Sequence, residues 1–302
     1  MRTLKYFHPN RLSTTLLTTI FVLLQFGPVS GQVKVKPDKT IMVFGAHADD
    51  VDEIAGGTFA KYIAMGYKGV YVCVTNNLAG CNLERTPYFK KGPNFTVSNS
   101  PLKYPVGGLE TRQIRSEEAI AAANVYGSVP VFLDFCEPEI YFGRKVIIYA
   151  TEDFVRYDPP GRRQINLATR YSEDVNIVVE LLEKYKPEIV ITHTLGGEKL
   201  DHEGTAYMMY LAFVKAMDKN IPVGKLWMTV NGWLLDKEAQ RSGRGKPDIR
   251  IDVRDHLKTK YEALNKHVSQ NGGFGRDYVT DNKTQPKEVI EEFITVIDNM
   301  KK

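Results

Sequence analysis

The sequence predicts an α/β fold, a Rossmann-like and mostly parallel sheet with helices on both faces, in a single domain with long loop insertions. Three observations predict it. Apolar runs of strand length alternate with helical patterns. The first strand is apolar throughout, as in strands that are buried on both faces. The alternation recurs along a chain of 302 residues, which is long enough for one large domain.

The alternation can be followed from residue 41 to the end of the chain. Short, continuous apolar runs predict strands at residues 41–46, 69–75, 129–135, 188–194 and 225–235. Apolar residues at helical spacing, several ended by glycine or proline, predict helices at 57–66, 109–127, 171–187, 202–218, 254–270 and 286–300. Two long loops, 76–108 and 136–170, interrupt the pattern, and "KVIIYAT" in the second predicts an extra strand. Loops of this length are usually functional or disordered.

The first residues have the features of a signal peptide. Three basic residues precede the apolar run "LLTTIFVLLQF" (16–26), and small residues follow it before Gln32. We therefore expect residues 1–31 to be cleaved, leaving one domain at 32–302 that is exported to the periplasm, the medium or another extracytoplasmic space. The alternative is an uncleaved membrane anchor, although the run is shorter than the roughly 20 residues of a full span.

The net charge of the expected mature chain is close to zero. Removing the three basic residues of segment 1–31 from the 40 in the chain leaves 37 lysines and arginines against 36 acidic residues, a net charge of +1. Nothing in this balance indicates a nucleic-acid partner. A membrane partner is expected only if the signal segment stays uncleaved, and the sequence does not predict an oligomeric state.

Two polar clusters follow predicted strands at the edge where ligands bind in open parallel sheets. His47, Asp49 and Asp50 come directly after the first strand, and Asp201 and His202 follow the fourth after a short glycine-containing loop. Two imidazoles and one carboxylate with an open fourth position are the ligands of a hydrolytic zinc site. A further carboxylate beside them could act as general base.

Each of these residues also has a structural interpretation. Asp49 and Asp50 could cap a helix, and His202 could begin one after an Asp201 cap. His193, at a strand end, could be a packed core histidine. A phosphate-binding turn is disfavoured because the segment lacks G-x-G-x-x-G. Both clusters together at strand carboxyl ends favour the functional site.

These residues resemble a known family, the PIG-L or LmbE-like de-N-acetylases. Its first motif, A-H-P-D-D-E followed by Gly-Gly-Thr, is similar to Ala46–Val51 and Gly56–Thr58. Its second motif ends in Asp-His, as do Asp201 and His202. Weaker matches are Arg115 and Glu118 in an Arg-x-x-Glu helix, and His267–Gln270 in a His-x-Ser-Gln segment. The resemblance covers roughly residues 40–270.

The resemblance implies a zinc-dependent hydrolase that removes the acetyl group from an N-acetyl amino sugar, in an N-acetylglucosamine-type glycan or glycoconjugate. His47, Asp50 and His202 would ligate Zn²⁺, and Asp49 would be the general base toward the metal-activated water. Two alternatives stay open. The same fold and metal could act on another small amide, or the chain could be a non-catalytic carbohydrate-binding protein.

The chain departs from the family pattern at three positions. Ala48 replaces the motif proline, and Val51 replaces the motif glutamate, whose contacts Asp52 or Glu53 could supply. Lys199 stands where many members have a histidine that stabilises the oxyanion or acts as an acid. The candidates for that role and for contacts to the substrate or the ligands are Lys199, His193, His267, Asp201 and Arg115.

Overall fold

The computed structural model describes residues 39–77, 108–142, 145–148, 162–196, 199–230, 246–270 and 289–300. The predicted signal peptide, most of the loop at 76–108 and much of the loop at 136–170 lie outside these residues. The second half of the predicted strand at 225–235 also lies outside them.

A seven-stranded sheet lies at the centre of the fold, in the order β3-β2-β1-β6-β7-β9-β8. The strands are β1 (Thr40–Gly45), β2 (Lys68–Thr75), β3 (Val129–Phe135), β4 (Glu139–Phe142), β5 (Lys145–Ile148), β6 (Ile189–Thr192), β7 (Lys225–Thr229), β8 (Ile249–Asp252) and β9 (Ile290–Asp298). The five strands from β3 to β7 in that order are parallel, and β9 runs antiparallel to β7 and β8. β4 and β5 form a separate antiparallel hairpin, which contains the predicted extra strand.

Helices cover both faces of the sheet, which confirms the predicted fold class. They are α1 (Asp50–Ala64), α2 (Gly108–Tyr126), α3 (Ile165–Ala168), α4 (Ser172–Tyr185), α5 (Leu200–Asp218) and α6 (Leu257–Leu264). Successive side chains of a strand point to opposite faces. Ile41 and Val43 of β1 accordingly join the buried cluster of α1, α2 and α6, while Met42 and Phe44 join that of α4 and α5. None of the helices within the described ranges is long and apolar enough to cross a bilayer.

The predicted helix at 286–300 is wrong, because residues 290–298 form β9. Its apolar residues recur at helical spacing, which favoured a helix. Its Ile and Val residues are β-branched, however, and such residues suit a strand. β9 pairs with β7 on one side and β8 on the other, and Phe293 is fully buried. Tertiary packing therefore decides that this segment is a strand. The sequence interpretation also missed β8, and the predicted helix at 254–270 shortens to α6 between two 3₁₀ turns.

Helix α1 begins at Asp50, seven residues before the predicted start, and bends at Ala55, whose φ and ψ are −152° and 15°. After the bend, the N–H groups of Gly57 and Thr58 donate to the Glu291 carboxylate at 2.9 and 2.7 Å. A second helical segment therefore starts where the sequence predicted, with a cap supplied by β9. The first segment carries the polar residues that follow β1.

Gly45, the last residue of β1, allows the tight turn into this first segment. A Cβ atom on Gly45 would lie 2.8 Å from Cβ of Asp50 and 2.9 Å from the backbone nitrogen of Val51. We expect Gly45→Ala to lower the free energy of unfolding by about 1–3 kcal/mol, the usual cost of overpacking. It should also lower metal content, because Asp50 must move. Urea denaturation and elemental analysis measure the two effects.

Gly66→Ala is the matched control. Gly66 has a φ of +92°, and an added Cβ would meet nothing within 4 Å, so the substitution strains the backbone without displacing a neighbour. It should lower stability and leave the metal content unchanged. If Gly45→Ala also kept its metal content, the argument that Gly45 sets the position of Asp50 would be contradicted.

Candidate metal centre

The candidate site lies between β1 and β6, where the order of strand addition reverses. The chain proceeds from β1 outward through β2 and β3 on one side, while β6 and β7 extend the sheet on the other. Ligands of open α/β sheets bind at such a switch point, beyond the carboxyl ends of the strands. His47 follows β1 and His193 follows β6 at this edge. The two clusters found in the sequence therefore meet, because β1 and β6 are neighbours.

Three side-chain atoms form a compact triangle at this edge. His47 Nδ1 lies 3.1 Å from Asp50 Oδ2 and 3.3 Å from His202 Nε2, and the third side measures 3.5 Å. Zinc bonds of 2.0–2.1 Å in a tetrahedral arrangement place ligand atoms about 3.3–3.4 Å apart. Among the described residues, these three form the group that could hold a metal ion. Donor types and spacing therefore both fit zinc.

The second nitrogen of His47 is held by acidic residues. Its Nε2 lies 2.9 Å from Asp201 Oδ2 and 3.7 Å from Glu137 Oε1. Histidine ligands of metals usually donate their other N–H to a carboxylate, which fixes the ring and its tautomer. Glu137 is fully buried and accepts a hydrogen bond from Thr75 at 3.1 Å. Asp201 and Glu137 are thus placed to orient His47 toward the triangle.

His193 contacts two members of the triangle, Asp50 and His202. Its Nε2 accepts the N–H of Ala46 at 3.0 Å, and its ring stacks on that of His202 with 4.1 Å between centroids. The same Nε2 lies 3.3 Å from Asp50 Oδ2. A backbone N–H can only donate, so we assign Nε2 as an acceptor. His193 therefore does not donate to Asp50 through this nitrogen, and it fixes the plane of His202.

Positive charge is favoured at the triangle. Burial opposes a charge on His47, but the carboxylates of Asp201 and Asp50 outweigh it and raise the pKa of His47 well above its usual range. Burial likewise disfavours an ionised Asp50, but His202 and His47 outweigh it and hold the pKa of Asp50 well below its usual range. A bound cation would satisfy the same carboxylates in place of the imidazole proton.

Asp49 has a different environment from Asp50. It occupies the N-cap position of α1, yet its side chain makes no capping hydrogen bond. Its Oδ1 instead accepts a hydrogen bond from Arg115 at 2.8 Å, and the Arg115 side chain is almost fully buried. Burial disfavours the charged carboxylate, but Arg115 outweighs it and lowers the pKa of Asp49. These contacts do not support a simple capping role for Asp49.

Lys199 and Glu53 lie near the carboxylates of the site. Lys199 is exposed at the N-cap of α5, three residues before His202. Burial, together with the charges of Asp49 and Asp50, raises the pKa of Glu53 to about 8, while Lys199 acts in the opposite direction. Lys199 is therefore close enough to influence the carboxyl group of Glu53.

Asp52 and His267 form a separate buried cluster behind the site. Asp52 Oδ1 accepts a hydrogen bond from Tyr126 at 2.7 Å, and its Oδ2 lies 2.7 Å from the hydroxyl oxygen of Tyr71 and 2.8 Å from His267 Nε2. Asp52 thus faces this cluster, and the carboxylates beside His47 are those of Asp50, Asp201 and Glu137. The segment that carries His267 is also held by Glu118, which accepts two hydrogen bonds from Ser269.

The His267–Asp52 pair predicts a pH-dependent contribution to stability. Burial opposes the charge on His267, but the hydrogen bond to Asp52 outweighs it and raises the pKa of His267 above its usual value near 6.5. The stabilisation is then fully present below a pH of about 6.5 and is lost as pH rises through the folded pKa. We expect the loss of unfolding free energy in His267→Gln to be largest near pH 6 and to shrink toward pH 9. Urea denaturation across this range measures it, and a loss that grows with pH would contradict the argument.

The sequence interpretation did not single out two residues that reach this site. Glu137 follows β3 and Asn77 follows β2, so both stand at the same strand edge as His47 and His193. Both side chains are buried and hydrogen-bonded to residues at the site. The rule that located His47, applied to every strand of the sheet, would have found them.

Solved structures with the same fold carry several activities. The N,N'-diacetylchitobiose deacetylase of Pyrococcus horikoshii is 17% identical, with a TM-score of 0.53, over 85% of this chain and 83% of that one. A deacetylase in complex with teicoplanin is 15% identical, with a TM-score of 0.52, over 85% and 97%. GalB, the 4-carboxy-2-hydroxymuconate hydratase of Pseudomonas putida KT2440, is 18% identical, with a TM-score of 0.53, over 87% and 98%. At these identities the likeness concerns the fold.

The sequence itself identifies the family. The family model described as PIG-L, GlcNAc-PI de-N-acetylase, matches residues 42–213, which is more than half of the chain. The matched region contains His47, Asp49, Asp50 and His202 together with the strands that bring them to one edge. The resemblance noted in the motifs is thereby confirmed, and the chain belongs to the PIG-L family of de-N-acetylases.

Proposed function

We propose that this protein is a zinc-dependent hydrolase that removes the acetyl group from an N-acetyl amino sugar. The observation that carries the proposal is the triangle of His47 Nδ1, Asp50 Oδ2 and His202 Nε2, with sides of 3.1 to 3.5 Å, beside the separately held carboxylate of Asp49. A metal triad with a neighbouring acidic group is the arrangement needed for hydrolysis by activated water.

In this proposal the triangle holds the zinc ion and Asp201 orients one of its ligands. His47 would bind through Nδ1, since its Nε2 faces Asp201 at 2.9 Å. When bound, zinc supplies Lewis acidity, which lowers the pKa of a water molecule and polarises the carbonyl oxygen of an amide. The ligand atoms come from two chain segments more than 150 residues apart, so the site depends on the folded sheet.

Asp49 is the proposed general base. It accepts the proton of the attacking water and returns it to the amine that leaves when the C–N bond breaks. Arg115 occupies one of its oxygens at 2.8 Å, which leaves the other for the water. Arg115 also keeps the carboxylate ionised, so Asp49 can accept a proton at neutral pH.

Lys199 is the proposed source of positive charge toward the developing oxyanion. Two observations favour it over the other candidates. His267 lies 2.8 Å from Asp52 in the cluster behind the site, and His193 Nε2 already accepts the Ala46 N–H. Lys199 is exposed at the start of α5, next to the segment that supplies His202. A lysine there stabilises negative charge as a point charge.

The proposed substrate is a small molecule or glycan that carries an N-acetyl amino sugar. The family description names GlcNAc-PI, and two proteins of the same fold are deacetylases of diacetylchitobiose and of the teicoplanin pathway. No nucleic-acid partner is proposed, because the expected mature chain is nearly neutral. Export after cleavage of residues 1–31, which would leave the domain at 32–302, remains part of the proposal.

Acetate release from a panel of N-acetylated sugars tests the proposal. Purified protein should release acetate from at least one of them, lose the activity on chelation and regain it with added zinc. The panel should also contain N-acetylated amines without a sugar, which test for another small amide, and 4-carboxy-2-hydroxymuconate, because a hydratase shares the fold. Turnover of non-sugar amides alone, or of the muconate alone, would overturn the sugar assignment. Sugar binding without acetate release would indicate a binding protein.

A further inference from the structure

Side chains from the β2 segment hold the residue between His47 and Asp49 at both of its backbone polar groups. The N–H of Ala48 donates to Asn77 Oδ1 at 2.8 Å, and its carbonyl oxygen accepts a hydrogen bond from the hydroxyl of Tyr71. Ala48, Asn77 and Tyr71 are all buried, with at most 1% of their surface exposed. In a buried environment, polar backbone groups depend on such partners.

Both partners are themselves fixed. Tyr71 lies in β2, and its hydroxyl also contacts Asp52 Oδ2 at 2.7 Å, within the cluster that includes Tyr126. Asn77 has a φ of 58°, a left-handed conformation that asparagine tolerates, and its Nδ2 donates to the carbonyl of Thr75 at 3.2 Å. The two contacts to Ala48 therefore come from β2 and from the residues directly after it.

Position 48 is also where the chain departs from the family motif, which has proline there. Proline fixes φ and has no N–H to satisfy. Alanine leaves φ free and adds a buried N–H group, and Asn77 accepts that group. The hydrogen bond to Asn77 thus satisfies a backbone group that a proline at this position would not have.

We propose that Asn77 and Tyr71 are positioning residues that fix the Ala48 peptide and thereby aim the carboxylate of Asp49. The inference rests on the proposed role of Asp49 as general base. His47 is held independently, because its backbone N–H donates to Asp50 Oδ2 at 2.6 Å and its ring contacts Asp201. Loss of the clamp, meaning the Asn77 and Tyr71 contacts to Ala48, should therefore affect the base more than the metal.

Asn77→Gly removes the amide oxygen while tolerating the left-handed φ. We expect kcat to fall by about 10- to 100-fold, the effect of misplacing a reacting group by up to 1 Å, with KM and zinc content unchanged. Tyr71→Phe should have the same pattern. Tyr67→Phe is the matched control, because its hydroxyl bonds Glu188 at 2.6 Å on a different part of the protein.

The variant Ala48→Pro, which restores the motif proline, gives the most direct test of the Asn77 contact. In Ala48→Pro the N–H that Asn77 accepts no longer exists, so adding Asn77→Gly should cause no further fall in kcat. If Asn77→Gly lowered kcat equally in both backgrounds, or if it had no effect in the wild-type background, the clamp would be refuted. A fall in zinc content parallel to kcat would also refute it.

Hydrogen–deuterium exchange tests the clamp without relying on activity. A peptide spanning residues 44–53 should exchange faster in Asn77→Gly and Tyr71→Phe than in the wild type and Tyr67→Phe. If the wild type released no acetate from any sugar, the proposed function would fail, yet faster exchange would still support the clamp. Unchanged exchange in both variants would overturn the clamp even in an active enzyme.

Discussion

Asparagine in place of Asp49 is expected to lower the rate of acetate release by about 10²- to 10⁴-fold, the usual contribution of a general base. Zinc should remain bound, because the amide is similar in size to the carboxylate and the triangle of His47, Asp50 and His202 is intact. The reason for the loss is chemical, since an amide cannot accept a proton from water. Initial rates and zinc content of the same preparations measure both effects.

Asp50→Asn is the matched comparison, because it makes the same change one residue later. It should weaken zinc binding, since a neutral amide is a poorer zinc ligand than a carboxylate. Excess zinc should then partly restore the activity of Asp50→Asn and leave that of Asp49→Asn unchanged. The opposite pattern of rescue would mean that the two roles are exchanged. Wild-type activity in both variants would contradict the proposed roles of both aspartates.

Alanine in place of His202 is expected to abolish tight zinc binding. Changes beyond the direct ligands usually lower metal affinity by about 10–100-fold, and loss of a ligand should lower it by at least that factor. Neither neighbouring histidine can replace His202 as a ligand, since His193 Nε2 already accepts a backbone N–H and His47 belongs to the triangle. Activity should fall with zinc content, while the protein stays folded because His202 is only partly buried.

His256→Ala is the control for removal of a histidine. His256 belongs to the 3₁₀ turn before α6, apart from the triangle. Its substitution should leave zinc content and acetate release unchanged. Wild-type zinc content in His202→Ala would contradict the assignment of this ligand, and equal zinc loss in both variants would point to a general effect of histidine removal.

The sequence predicted the parallel centre of the sheet because buried parallel strands are recognisable as continuous apolar runs. Residues 41–46 are such a run, and the structure forms β1 there. The last element was predicted wrongly, because apolar residues recur at helical spacing over residues 286–300, whereas residues 290–298 form a strand between β7 and β8. The spacing of apolar residues shows which face of a segment is apolar. It does not show which neighbouring strands the segment will pair with.

The candidate site was predictable as far as strand order could be inferred. His47 and His202 both follow carboxyl ends of strands, which predicted that they would meet. Nδ1 of His47 lies 3.3 Å from Nε2 of His202. The contacts of Asp201 with His47 and of Arg115 with Asp49 are long-range in sequence, so no local pattern contains them. Asn77 stands at the same strand edge as His47 and could have been found there, whereas Tyr71 lies within β2 and its significance depends on where Ala48 lies in the folded chain.

Anomalous diffraction from crystals of the zinc-loaded protein tests the central claim most directly. Data collected on both sides of the zinc absorption edge should give one strong peak, located about 2.0–2.1 Å from Nδ1 of His47 and Nε2 of His202 and about 2.0–2.2 Å from Oδ2 of Asp50. Asp49 should lie beside the peak without contacting it directly. A peak coordinated by other residues, or no peak at the triangle in protein that contains stoichiometric zinc, would contradict the account.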